Sequence, residues 1–163
     1  MTRIYVAGIA MTVFGRHPER SLEDLAGEAL IRALADAGCT APQIGVAYYS
    51  GMTNGTLQGL ISIPGQVIFS KIGIEGIPVY NVENACASGS SAFNLAVQSL
   101  KAGTADVALA IGAEKMNIPD KAKAFAIFEG GWDVSRADKH AAARGLRGIH
   151  GIAHEIDQQL FEL

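Results

Sequence analysis

Four short apolar runs alternate with three segments of helical periodicity over the first 114 residues, and this alternation restricts the fold more than any other feature of the chain. The runs are RIYVAGIA (3–10), IGVAYYSG (44–51), PVYNVEN (78–84) and DVALAIGAE (106–114). Their β-branched and aromatic content, bounded by Gly, Pro and polar residues, predicts buried strands. After the first run, Ser21 stands three residues ahead of Asp24, a helix-start pattern. Leu22, Leu25, Ala26, Ala29, Leu30, Ala33, Leu34 and Ala37 then recur at the spacing of one helical face, and Gly38 follows as a C-cap. Pro64 opens a short helix within 63–73. Phe93, Ala96, Val97 and Leu100 form the stripe of a third helix over 90–103, ended by Gly103. Strands alternating with helices imply a mostly parallel sheet covered by helices, an α/β fold. The last run is apolar nearly throughout, so we expect it to be covered on both faces.

After Met116 the texture changes to mixed helical pieces and glycines with little strand character. The expected division is an α/β part over residues 1–117 and a helical and loop appendage over 118–163. At 49% hydrophobic and 18% charged residues, the chain has enough apolar side chain for a core. A net charge of −3 with no run of like charges gives no reason to expect a nucleic-acid partner. No apolar stretch approaches the roughly 18 residues needed to span a bilayer. The start, MTRIYVAGIA, does not resemble a signal peptide. Two cysteines, Cys39 and Cys86, are too few for a disulfide framework and fit a reducing compartment, so the expected location is cytoplasmic. Cys39, directly after Gly38, is most simply a small residue at a helix end.

Cys86 is different. It stands just past the third strand, where the next helix is about to start, among Ala85, Ala87, Ser88 and Gly89. In open α/β sheets, ligand sites gather beyond the carboxyl ends of the strands. A sharp strand-to-helix turn lifts its apical residue out of the packing, and small neighbours permit close approach of backbone and substrate. Unpaired N–H groups and the positive end of a helix favour a thiolate and stabilise an oxyanion. The competing reading is a small hydrophobe packed like the alanines around it. Position and composition alone do not decide between the two.

The segment VENACASGSSAFNLAVQSLKAGTADVALAIGAEKMN resembles the nucleophile region of the thiolase superfamily, nearest its sterol-carrier-protein-x type, and FEGGWD (128–133) supports that subgroup. The resemblance runs from RIYVAGIAMTVFG to the region around Trp132. It implies a thiolase-like layered fold, of which this chain is the N-terminal half. It implies that Cys86 attacks a 3-ketoacyl-CoA or acyl-CoA and is S-acylated, with its backbone N–H forming half of an oxyanion hole. It also implies coenzyme A as substrate or product, no other cofactor, and pairing into a dimer through the strand preceding Cys86.

Other elements of the family pattern are not found. The Asn-Glu-Ala-Phe-like or His-Asp-Ala-Phe-like segment, the Gly-His-Pro motif and the second reactive cysteine belong to the family's second half, and GIHGIAHE (148–155) is no match for Gly-His-Pro. The chain therefore carries the nucleophile without an evident general base, although the reaction must move a proton at the α-carbon or the leaving thiol. We expect a partner: a homodimer, or a hetero-oligomer with a chain that supplies the missing half.

The remaining candidates are weaker. His150 and His154 share a helical spacing, but Gly151 interrupts them and no third ligand is evident, so no metal is expected. His17 and His140 are most simply exposed loop residues. Lys121, Lys123, Arg136, Lys139, Arg144 and Arg147 are interspersed with acids, as on a solvated face. The resemblance places them at the start of a CoA-binding loop region, where one or two would meet CoA phosphates and Trp132 would stack or anchor packing. The leading expectation is a thiolase-type acyl-CoA acyltransferase, acting most simply in 3-ketoacyl-CoA thiolysis on a branched, cyclic or aromatic acyl chain. The rivals are a non-catalytic thiolase-like subunit that scaffolds a complete partner, and a condensing enzyme of the ketoacyl-synthase type.

Overall fold

The computed structural model describes residues 3–130. The chain divides into two compact units, Met1–Ala124 and Phe125–Leu163. Of the second, only the part up to Gly130 is described, as the continuation of helix α5 (Lys121–Gly130).

The first unit is a three-layer α/β arrangement. Its sheet has three parallel strands, β1 (Val46–Ser50), β2 (Val79–Val82) and β3 (Ala108–Gly112), in the order β2-β1-β3. Ala47 faces Val79 on one side and Leu109 on the other, which fixes the register. The central strand β1 is buried along its whole length. Its alternating side chains feed two separate cores, as the twofold period of a strand requires. Ala47 and Tyr49 join Leu22, Ala26 and Leu30 of α1 (Leu22–Ala37) and Ile68 and Phe69 of α3 (Pro64–Lys71). Val46 and Tyr48 point the other way, onto Ala92 and Ala96 of α4 (Ser88–Ala102). Phe69 meets Tyr49 edge-on, with centroids 6.3 Å apart. Each large apolar side chain sealed in this way contributes ~1.5–3 kcal/mol.

Local signals set the helix ends. The Ser21 hydroxyl accepts from Asp24 N–H while the Asp24 carboxylate accepts from Ser21 N–H, both at 3.0 Å, a complete capping box. Gly38 and Gly103 close α1 and α4 in the left-handed region, at φ +63° and +68°. A short helix α2 (Asn54–Gln58) follows β1.

Three expectations need correction. Residues 3–10 form no regular element and pair with no strand among the described residues. They lie along α1 instead: Ile9 N–H donates to the Asp36 carboxylate at 2.9 Å, and a Cβ on Gly8 would sit 2.7 Å from that of Ala37. Composition favours an extended backbone, but sheet membership needs a hydrogen-bonded neighbour, and here Tyr5, Val6 and Ile9 remain exposed. Second, β3 is half-buried rather than covered on both faces, because among the described residues it is an edge strand paired with β1 alone. Third, the buried stripe of α4 runs through Ala92 and Ala96, and Phe93 is 50% exposed.

Candidate active site

Cys86 sits in a single 3-10 turn, Ala85–Ala87, between the carboxyl end of β2 and the first residue of α4. It is a free, exposed cysteine, not packed against apolar side chains within the described residues. Side chains on both flanks shape this turn. The Ser88 hydroxyl, buried at 6% exposure, donates to the Ala85 carbonyl at 2.7 Å and accepts from Asn84 N–H at 2.8 Å. Asn84 Nδ2 donates to the Ser91 hydroxyl at 2.9 Å, and Ala87 N–H closes the turn on the Asn84 carbonyl at 2.9 Å. On the near side, Ala85 N–H donates to Glu83 Oε1 at 2.6 Å. Ala85 itself lies at φ +46°, an uncommon conformation for a residue with a Cβ.

The electrostatics at the start of α4 favour an anion. Its N-cap residue, Ala87, offers no side-chain acceptor, and its first turn contains no acidic residue. The positive end of the helix is therefore not compensated by its own side chains.

Beside the turn, a cavity of about 250 Å³ opens at the carboxyl ends of β1 and β2. Tyr49, Gly51, Met52, Asn54, Leu60, Ile61, Pro64, Asn81, Val82 and Glu83 line it. Its wall is held by long-range contacts. The Glu114 carboxylate accepts from the N–H groups of Met52 and Thr53 and from the Thr53 hydroxyl. Asn81 Oδ1 accepts from Gly65 N–H at 2.7 Å, and Asn81 Nδ2 donates to Gln66 Oε1 at 2.7 Å, docking the start of α3 on β2. Asn54 Nδ2 donates to the Tyr49 hydroxyl at 2.6 Å, and that hydroxyl donates to the Ala113 carbonyl at 3.3 Å. Burial first, and then the Glu114 charge, push the Tyr49 phenol well above its usual pKa. It is a structural hydroxyl and no source of protons near neutrality.

Other residues singled out in the sequence lie apart from this turn. Cys39 is half-buried, with its thiol donating to the Ala37 carbonyl at 3.6 Å, as a helix-end residue should. The His17 ring is engaged by the Val13 carbonyl at 2.8 Å in an exposed loop. Lys121 donates to Asn117 Oδ1 at 2.8 Å. Trp132, Arg136, Lys139, His140, Arg144, Arg147, His150 and His154 fall outside the described residues. Among the described residues no group of three or more His, Cys, Asp or Glu could hold a metal, and no helix is long and apolar enough to cross a membrane. Sequence reasoning missed Glu83, Asn84 and Ser88 as shapers of the turn, although their spacing around Cys86 was a local signal. It also missed the cavity wall, where Glu114 bonds to Thr53, 61 residues away, and Asn81 to Gly65, 16 residues away.

The described residues thus form a parallel α/β sheet with a cysteine-bearing strand-to-helix turn at its carboxyl edge. The family described as thiolase, N-terminal domain, matches residues 4–153, and the chain belongs to that family. Among curated relatives, sterol carrier protein 2 of Gallus gallus is 38% identical over 116 residues, covering 70% of this chain and 20% of that protein. Benzoylsuccinyl-CoA thiolase subunit BbsB of Thauera aromatica is 38% identical over 113 residues, 69% of this chain and 28% of that one. Acetyl-CoA acetyltransferase of Methanocaldococcus jannaschii is 37% identical over 116 residues, 71% of this chain and 29% of that one. The solved structure of acetyl-CoA acetyltransferase from Syntrophomonas wolfei superposes with a TM-score of 0.56 at 27% identity, covering 64% of this chain and 27% of that chain. The fold is thiolase-like, and the chain spans less than a third of the length of these relatives.

Proposed function

We propose that this chain is the nucleophile-bearing part of a thiolase-type acyl-CoA acyltransferase. In thiolysis, the Cys86 sulfur attacks the 3-keto carbonyl of a 3-ketoacyl-CoA. The bond between the α- and β-carbons breaks, the α-carbon takes a proton, and acetyl-CoA leaves. A coenzyme A thiol then attacks the acyl thioester on Cys86, releasing the shortened acyl-CoA and returning the thiolate. The observation that carries this reading is the placement of Cys86: exposed, beyond the end of β2, and immediately before the uncompensated start of α4. Amide hydrogens there are positioned to hold the oxyanion of the attacked carbonyl.

The proton at the α-carbon needs an acid–base group that we assign to polypeptide beyond these residues, either the remainder of a thiolase-length protein or a partner chain. Supporting that assignment, Tyr5, Val6, Ile9, Met11, Val13 and Phe14 are all more than 60% exposed in one stretch of chain, a large apolar surface for a finished protein. The substrate reading, a branched, cyclic or aromatic acyl chain, rests on the sterol-carrier-protein-x resemblance and on the benzoylsuccinyl-CoA thiolase relative. Location in the cytoplasm and pairing as a dimer belong to the same proposal.

Incubation of the chain with acetyl-CoA or a 3-ketoacyl-CoA, followed by peptide mass spectrometry, tests it. The reading requires a hydroxylamine-labile acyl mass on the Cys86 peptide that is absent from Cys86→Ser. A second reading, a non-catalytic thiolase-like subunit that pairs with a complete partner, is favoured by one observation: the relative BbsB is itself named a subunit. No acylation of Cys86, alone or with its partner, would favour that reading.

A further inference from the structure

We infer that Glu83 is a positioning residue for the nucleophile turn: its carboxylate holds Ala85 in the left-handed conformation that presents Cys86. The inference deepens the proposed function and rests on it for the role of Cys86. Three observations converge. Glu83 Oε1 accepts from Ala85 N–H at 2.6 Å, a short, charge-assisted bond across two residues. Ala85 is one of only two non-glycine residues at positive φ among the described residues, and it immediately precedes Cys86. On its far side the Ala85 carbonyl accepts from both the hydroxyl and the backbone N–H of Ser88, so both polar groups of Ala85 are engaged and its N–H is held by the Glu83 side chain.

An alanine left to itself returns to negative φ, because its Cβ crowds the backbone in the left-handed region. Such a relaxation at Ala85 would swing the chain entering Cys86 and move the sulfur away from the start of α4. Glycine would adopt the turn freely but would also sample others. Alanine with an external clamp specifies one conformation. The strain is retained because neighbouring groups over-determine it, a common arrangement where a reactive side chain must be presented. Glu83 also lines the cavity beside the turn, so the same side chain stands where the cavity and the nucleophile turn meet.

The charge of Glu83 acts in the opposite direction to its geometry. A carboxylate near a thiolate disfavours the anion, so removing the charge alone would speed alkylation. This separates the two roles. In the 163-residue chain, site-resolved iodoacetamide labelling of Cys86 across pH is the readout for Glu83→Ala, Glu83→Gln, Ala85→Gly and the double variant Glu83→Ala/Ala85→Gly. The clamp predicts that Glu83→Ala labels about tenfold more slowly. It predicts that Glu83→Gln, which keeps the acceptor and drops the charge, labels at the native rate or faster. It predicts that Ala85→Gly restores the native rate in the Glu83→Ala background, as a coupled pair must. A native or faster rate in Glu83→Ala, or no rescue by glycine, overturns the inference.

Hydrogen exchange of the Ala85 amide by NMR keeps this test separate from the proposed function. The clamp requires a protected Ala85 amide in the native chain and an unprotected one in Glu83→Ala, even if Cys86 labels no faster than free cysteine. An unprotected native amide would refute the clamp while leaving the acyl-transfer reading to its own experiment.

Discussion

The Ser88 hydroxyl and the Ala85 carbonyl, 2.7 Å apart, tie the first residue of α4 back to the residue before the cysteine. The same hydroxyl accepts from Asn84 N–H, so one small buried side chain bonds to both sides of the turn that bears Cys86. A sequence element that looks like a mere run of small residues is thus a bonded unit.

Ser88→Ala removes both side-chain bonds at once, leaving Asn84 N–H without its partner and the Ala85 carbonyl with only the Ser88 backbone N–H. Asn84 and Ala85 are exposed, so water takes up part of the lost bonding and the expected cost is ~0.5–1.5 kcal/mol for each bond. Denaturant unfolding should show a lower midpoint with unchanged slope, and Cys86 should label more slowly. Native stability in this variant would contradict the bonded-turn account.

Gly65 is where the start of α3 approaches β1 and β2. A Cβ there would lie 2.6 Å from the Tyr49 Cβ and 2.8 Å from Asn81 Oδ1, and the Tyr49 Cβ is fixed on the central strand. Gly65→Ala should therefore destabilise by ~1–3 kcal/mol through overpacking, with loss of cavity volume beside the turn. Thermal melting checks the first effect, and a crystal structure of the variant the second.

The acidic side chains of α1 give the unit a defined acid response. Hydrogen bonds from Lys71 first, and then from its own backbone, hold Glu23 below its usual pKa; backbone and hydroxyl bonds from Ser21 do the same for Asp24, and Arg20 and Arg32 for Glu28. A carboxylate whose folded-state pKa is depressed stabilises the fold above its unfolded value and loses that contribution as the pH falls through the folded value. The contribution is therefore complete above about pH 5 and declines below about pH 4. Ser21→Ala should cost ~1 kcal/mol at neutral pH by breaking the capping box, and should flatten the acid limb of a stability-against-pH curve. An acid limb as steep as that of the native chain would contradict this assignment.

Much of the α/β order was legible because it is written in local periodicity. The helix from Leu22, its capping box, the glycine closures and the three paired strands each follow from residues within a few positions of one another. What was not legible depends on distant partners. Residues 3–10 have the composition of a strand whether or not a neighbour pairs with them. Helix α2, five residues long, is too short to show a period. The Glu114 bonds to Thr53 and the Tyr49 bond to Ala113 join residues far apart in the chain, and nothing near Glu114 announces them. Cys86 stood out by its setting, whereas the bond from Ala85 N–H to Glu83 depends on a left-handed backbone that an alanine does not announce.

The central claim is that this fold presents Cys86 as an acyl-accepting nucleophile, and the chain carries its own control in Cys39, half-buried at a helix end. The most direct measurement is the site-resolved rate of iodoacetamide labelling at both cysteines, with and without acyl-CoA. The account predicts that Cys86 labels faster than free cysteine and is slowed by acyl-CoA, while Cys39 is unaffected. A Cys86 that labels no faster than free cysteine and ignores acyl-CoA would contradict it.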